Sequence, residues 1–225
     1  MNMFQFAQIP AQYGSLNQRH LARINDTVMG ALDVQPRLVF IRCDLHEPKE
    51  YSLSENSLEW DAPMFFVNAN VDMFKRFFAS FKAQVDTYMR NRAIQGKRLY
   101  KTCYVNYIWV RELSKSGRVH YHVVLILNKD LFYKKGSMNH SKSLVWKIKQ
   151  AWASALGMMV EEIEGLVHIS EGKPNTLGGD RTTVKFQEKL GLLAKALAYL
   201  AKEKTKAYGD GRRNFGCSNP RKGLI

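Results

Sequence analysis

The sequence is poor in three things, and each shortage closes off a class of protein. Cysteine occurs only at Cys43, Cys103 and Cys217 in 225 residues. An odd number at wide spacing makes neither a disulfide framework nor a zinc pattern, and a reducing cytosol is the expected setting. Long apolar runs are missing: no stretch reaches the roughly 18 residues that a membrane span needs, and no basic-then-apolar leader opens the chain. Neither export nor membrane insertion is expected, and the expected location is cytoplasmic. Acidic residues are scarce, with 20 Asp+Glu against 34 Lys+Arg, which leaves a net charge of +14.

What is present is enough for a core. Hydrophobic residues make up 45% of the chain and aromatics 12%, which excludes a disordered polymer. The length suits one domain over 1–225, with a helical lead-in over 1–36 and a basic tail over 208–225. The charge is uneven: between Lys185 and Ile225 there are ten Lys/Arg and three acids. Such an excess accompanies polyanionic ligands, and nucleic acid is the expected partner.

Periodicity predicts a helix over Ser15–Leu32, a buried strand over Arg37–Leu45 (RLVFIRCDL), a connection over 46–70 and an amphipathic helix over Val71–Arg92. Strands follow at Leu99–Leu113 and Arg118–Leu127, a helix at Ser141–Leu156, and a short strand at Gly165–Ser170. Residues 171–183 read as a loop, and Phe186 to about Ala207 as the last helix. This order predicts an α+β fold with a mainly antiparallel sheet and covering helices.

The segment RVHYHVVLIL (Arg118–Leu127) carries the first chemical signal. Alternation along a strand points His120 and His122 the same way, and the apolar run after them marks a central strand. Two imidazoles side by side make a pair of metal ligands. A three-residue loop, Lys115-Ser116-Gly117, suits a turn closed by glycine and sets Glu112 across from His120 and Val110 across from His122. A two-residue loop would put Arg111 there instead. One carboxylate and two imidazoles bind a divalent ion and leave positions for phosphate and water. His20, His46, His140 and His168 read as structural; Asp44 and His46, at the end of the first strand, are within reach of the site, but nothing in the sequence fixes that approach.

The last helix carries the second signal. Its leucines (Leu190, Leu193, Leu197, Leu200) gather on one side, and Lys195, Lys202 and Lys206 gather around Tyr199 on the other. A phenol among cations is either a solvated tyrosine or one poised beside a phosphate, with nearby positive charge favouring phenolate. Spacing leaves both readings open. Tyr208 is a weaker alternative nucleophile. The tail supplies Arg212 and Arg213, which suit phosphate contact or a solvated end.

His120-Tyr121-His122 in a hydrophobic strand resembles the His-hydrophobic-His motif of HUH endonucleases, and YLAKEKTK (Tyr199–Lys206) resembles the tyrosine motif of phage rolling-circle replication initiators. The wider pattern, from WVRELSKSGRVHYHVVLILNKD through AWASALG and GLVHIS to YGDGRRNFGCS, is similar to replication proteins of filamentous phages and their prophage-encoded relatives. The resemblance implies a fold of the RNA-recognition or ferredoxin-like type. It also implies site-specific nicking and joining of single-stranded or origin DNA through a 5′-phosphotyrosine on Tyr199. Mg²⁺ or Mn²⁺ would be held by His120, His122 and Glu112, Lys202 would act beside the phosphate, and Lys195, Lys206, Arg212 and Arg213 would contact nucleic acid. A host helicase and polymerase are the implied partners in a bacterial cytoplasm, since no nucleotide-binding loop is present. Glu203 stands where some phage initiators carry a second tyrosine, so a two-tyrosine handover from one helix is not expected. The competing reading is a non-catalytic basic protein that recognises an origin or operator on the same scaffold.

Overall fold

The computed structural model describes residues 1–48, 73–97, 103–114, 119–132, 143–170, 175–204, 206, 208 and 211–219. Helix α1 spans Gln18–Val34 and strand β1 Arg37–His46. They are followed by α2 (Met73–Ile94), β2 (Asn106–Leu113), β3 (Val119–Asn128), a short α3 (Lys129–Phe132), α4 (Leu144–Leu156) and β4 (Val167–Ile169). Strand β5 (Asn175–Gly178), α5 (Val184–Ala198), a 3-10 turn at Tyr199–Ala201 and β6 (Phe215–Cys217) complete the order.

Five strands run in the order β4-β1-β3-β2-β6, and β5 pairs with the first half of β1 on the edge that β4 occupies further along. Every pairing is antiparallel. The segment β1-α2-β2-β3-α4-β4 with sheet order β4-β1-β3-β2 is the split β-α-β arrangement of ferredoxin-like folds. This is the expected α+β class.

Alternation along the central strands feeds two cores. Val39, Ile41, Cys43 and Leu45 of β1 and Tyr121, Val123, Leu125 and Leu127 of β3 face α2 and α4, where Phe74, Phe77, Phe81, Ile148 and Trp152 pack against them. Leu38 and Phe40, with Val124 and Ile126, face the opposite way onto Leu21, Ile24 and Val28 of α1 and Leu190, Leu193 and Leu197 of α5. Each such burial contributes roughly 1.5–3 kcal/mol. The helices start on side-chain caps: Asn17, Ser143 and Thr183 accept from the backbone N–H three residues on in α1, α4 and α5. Gly157, with φ of 73°, closes α4 in the left-handed region.

The lead-in packs into the core, since Met3 is fully buried and a Cβ at Gly191 of α5 would sit 2.4 Å from the Phe6 carbonyl oxygen. Four expectations are corrected. The 171–183 loop contains β5, and the tail contains β6, where a Cβ at Gly216 would meet the Trp109 indole at 2.4 Å. The long strand over Leu99–Leu113 begins at Asn106; its first residues, like the 49–72 connection, the hairpin loop at 115–118 and His140, lie largely or wholly outside the described residues. The last helix ends at Ala198 rather than near Ala207, because other segments take over its backbone partners. Asn17 N–H bonds to the Ala201 carbonyl at 2.8 Å, Glu203 N–H to the Ser15 carbonyl at 3.2 Å, and Lys206 bridges to Glu112 of β2. No described helix is long and apolar enough to cross a membrane.

Candidate metal centre and its tyrosine

The site lies at one end of the sheet, on the α1/α5 side, where the inward alternation turns from apolar to charged. The β2–β3 register sets Glu112 opposite His120 and Val110 opposite His122, as the three-residue loop requires. On the other flank of β3, the β1 register sets Asp44 opposite His122 and His46 opposite His120. Rigid ladders thus fix five polar residues: Glu112, His120, His122, Asp44 and His46.

Glu112, His120 and His122 each offer one ligand atom, and these atoms lie within 4.8 Å of one another. Ligands about 2.1 Å from a shared ion are at most about 4.2 Å apart, so shifts of a few tenths of an ångström close the set on a cation. One carboxylate oxygen with two imidazole nitrogens is a donor set that a divalent ion accepts. The residues therefore fit a metal.

The supporting contacts orient that set. His122 Nδ1 is 2.6 Å from Asp44 Oδ1, and its Nε2 is 3.5 Å from Glu112 Oε2. An Arg42 guanidinium nitrogen also lies 3.2 Å from Nδ1, but a nitrogen that donates to Asp44 cannot accept from arginine. The shorter contact decides, so Nδ1–H donates to Asp44 and Nε2 turns toward the ligand set. A carboxylate behind a ligating histidine fixes its tautomer and raises its basicity. On the far side, Lys206 Nζ donates to Glu112 Oε1 at 2.6 Å, with both side chains almost fully buried. That bond occupies one carboxylate oxygen and leaves Oε2 for the cluster.

Burial works against every charge here; pairing outweighs it at Glu112, His122 and Asp44 but not at Lys206, which burial holds below the ordinary lysine value despite Glu112. Glu112 is desolvated, yet His122 and Lys206 bring its carboxyl down to about 2. Burial opposes the His122 cation, but Asp44 and Glu112 hold its pKa above the ordinary histidine value. Asp44 is held below the ordinary carboxylate value against its own desolvation, chiefly by His122. His46 is pushed down by burial and by His168 and His120.

Tyr199 sits at the C-terminal end of α5 over this cluster. Its ring centroid is 5.7 Å from that of His122. The Arg42 guanidinium lies 5.1 Å from the ring centre, Lys202 Nζ 4.3 Å, and the Tyr13 ring 5.7 Å in an edge-on arrangement. Burial, with the nearby Glu112 charge, raises the Tyr199 pKa against the opposing pull of Arg42.

The structure thus brings Glu112, His120, His122, Tyr199 and Lys202 together. It does not bring every nucleic-acid candidate to the same face. Lys195 is exposed on α5 and Arg212 and Arg213 are exposed before β6, whereas Lys206 is buried. The Lys206 ammonium is committed to Glu112 because the helix ends early and the chain turns onto β2, so it is not the exposed phosphate contact that helical spacing implied. Tyr208 is exposed. His46 and His168 do not stand apart: their rings are 5.3 Å apart, and His46 stacks on His120 at 5.9 Å. Arg42 went unread in the sequence, although the polar alternation Arg42, Asp44, His46 along RLVFIRCDLH carried the signal. Tyr13 had no local signal.

Fold and site together define a ferredoxin-like α+β protein with a three-residue cluster that fits a metal ion, beside a tyrosine. The chain belongs to the YagK/YfjJ C-terminal domain family, which it matches over residues 3–218. It is similar to "Uncharacterized protein YagK" of Escherichia coli (strain K12), with 34% identity over 197 residues, 88% of this chain and 90% of the relative. It is also similar to "Uncharacterized protein YfjJ" of the same organism, with 29% identity over 213 residues, 92% and 97% of the two chains.

Proposed function

We propose that this protein nicks and rejoins single-stranded DNA through a covalent 5′-phosphotyrosine on Tyr199, and that this step initiates rolling-circle replication of a phage or mobile element. The observation that carries the reading is the approach of the Tyr199 ring to 5.7 Å from the His122 ring, on the sheet face that also bears Glu112 and His120. A tyrosine serving only as core would join the leucine stripe of α5; this one stands over charged groups.

Glu112, His120 and His122 would hold Mg²⁺ or Mn²⁺, which when bound polarises the scissile phosphate and offsets its charge. Asp44 keeps His122 in the ligating tautomer, and Lys206 keeps one oxygen of Glu112 occupied. Tyr199 attacks phosphorus in line, forming the Tyr199–phosphorus bond as the bond to the 3′ oxygen breaks. The phenol loses a proton and the 3′ oxygen gains one, so the step is proton-neutral overall. Lys202 and Arg42, both against the Tyr199 ring, stand where phosphate charge would arrive. The free 3′-OH primes synthesis, and later attack by a 3′-OH on the phosphotyrosine rejoins the strand.

The test is direct. Labelled single-stranded origin DNA from the resident element is incubated with the protein and Mn²⁺ and resolved under denaturing conditions. A protein-linked label that disappears with Tyr199→Phe and with chelator supports the reading. Tight binding without any adduct leaves the origin- or operator-binding protein in its place.

A further inference from the structure

On the opposite side of the sheet, a groove runs between α2 and α4 with a cavity of about 580 Å³. Gln84, Tyr88, Arg92, Lys97, Lys147 and Gln150 are among its lining residues, and no carboxylate is among those described. Tyr88 is flanked by two cations, with Arg92 Cζ 5.8 Å and Lys147 Nζ 5.7 Å from its ring centre. The two helices together carry seven Lys/Arg and a single acid, Asp86. Lys147 is half-buried, and burial lowers its pKa; among the described residues no opposite charge offsets that desolvation. An anionic ligand would recover that cost.

We propose that this groove is a second DNA contact, a track for the phosphodiester backbone of a single strand, with Tyr88 as a platform for an unstacked base. The reading rests on the protein acting on DNA, and it does not need strand cleavage. Cations that follow a backbone, amides that bond phosphate and sugar oxygens, and an aromatic side chain among them are the elements of single-strand binding. The groove lies on the α2/α4 side while the metal centre lies on the α1/α5 side. A strand held in both would wrap the edge of the sheet, and the groove would grip DNA flanking the cleaved bond.

The experiment measures fluorescence anisotropy of a labelled single-stranded oligonucleotide in chelator, so that no cleavage occurs, over a series of salt concentrations. Arg92→Gln with Lys147→Gln is expected to weaken binding about 10-fold or more and to flatten the salt slope by about 1.4, two contacts at roughly 0.7 each. Lys97→Gln, at an exposed position that carries no packing, is expected to shift the slope by about half as much. Tyr88→Leu is expected to weaken single-strand binding about fivefold or more and to leave inorganic polyphosphate binding unchanged. Lys75→Gln, exposed at the start of α2 and outside the groove lining, is the control and is expected to leave affinity near wild type. Groove variants that bind like wild type, or no better distinguished than the Lys75 control, overturn the groove while DNA binding stands. Equal losses for polyphosphate and DNA, including with Tyr88→Leu, overturn the single-strand assignment. A wild-type protein that binds no single strand overturns both the groove and the DNA reading beneath it.

Discussion

Strand β3 has two faces in very different surroundings. Toward α2 and α4 it presents Tyr121, Val123, Leu125 and Leu127 to a dry aromatic core in which Phe74 stacks on Trp109 at 4.4 Å and Trp152 is fully buried. Toward α1 and α5 it presents His120 and His122, then Val124 and Ile126. The first face is apolar apart from the Tyr121 hydroxyl, which donates to Glu47. The second changes character halfway, and its polar end carries a run of alternating charge: Lys206, Glu112, His122, Asp44 and Arg42. The two faces are joined where the Trp152 indole N–H, in the core, donates to the His46 carbonyl at 3.0 Å. The difference teaches where rigidity comes from. The dry core fixes the strands, and the strands fix the site, so the charged groups need no packing of their own to hold their positions.

That comparison can be broken in graded steps. The largest effect belongs to the dry face: Phe77→Ala, at a fully buried position, should cost about 3–5 kcal/mol in chemical denaturation. Nearly as large is Lys206→Met, which strands the Glu112 carboxylate in the interior and should cost about 3–5 kcal/mol. The double variant Lys206→Met with Glu112→Leu should recover most of that loss, and strict additivity would show that the pair is not coupled. Asp44→Asn should weaken Mn²⁺ binding 10- to 100-fold in calorimetric titration while the melting temperature moves little, because it removes the charge that orients His122 and, beyond that, only a half-exposed ion pair with Arg42. An unchanged Mn²⁺ affinity would detach Asp44 from the ligand set.

The smallest effect is a pH profile. With the His122 pKa above the ordinary histidine value of 6.5, protons compete with a metal for Nε2 across the neutral range. Mn²⁺ affinity should therefore rise with pH, up to tenfold per unit below the His122 pKa, and level off above it. The stability linkage runs the other way. A raised pKa contributes stability that is fully present below 6.5 and is lost as pH rises through the folded value, so the metal-free protein should be slightly less stable on the alkaline side. A metal affinity that is flat in pH would remove His122 from the site.

Much of this was legible in the sequence where the signal is local. The strand alternation placed His120 and His122 together, and the glycine-containing turn fixed Glu112 opposite His120, because register follows loop length. Helix periodicity gave α2 and α4 because each has a long apolar stripe. The misses are all tertiary. Nothing in LAKEKTK stops a helix, and α5 ends only because Ser15, Asn17 and Glu112 supply backbone partners from elsewhere. Lys206 was therefore placed on an exposed face it never reaches. Strands β5 and β6, at four and three residues, are too short for a period to show. The contact of His168 with His46 depends on β4 pairing with β1, which no spacing within GLVHIS reveals.

The central claim is that the Tyr199 phenol and the histidine–carboxylate cluster act on one bond. Its most direct test is to trap the protein–DNA adduct formed with Mn²⁺, digest it and locate the nucleotide by tandem mass spectrometry. The account predicts a 5′-phosphate ester on Tyr199, and none when His120 and His122 are replaced by alanine. A nucleotide on Tyr208 instead, or an adduct that forms without the histidines, would contradict it.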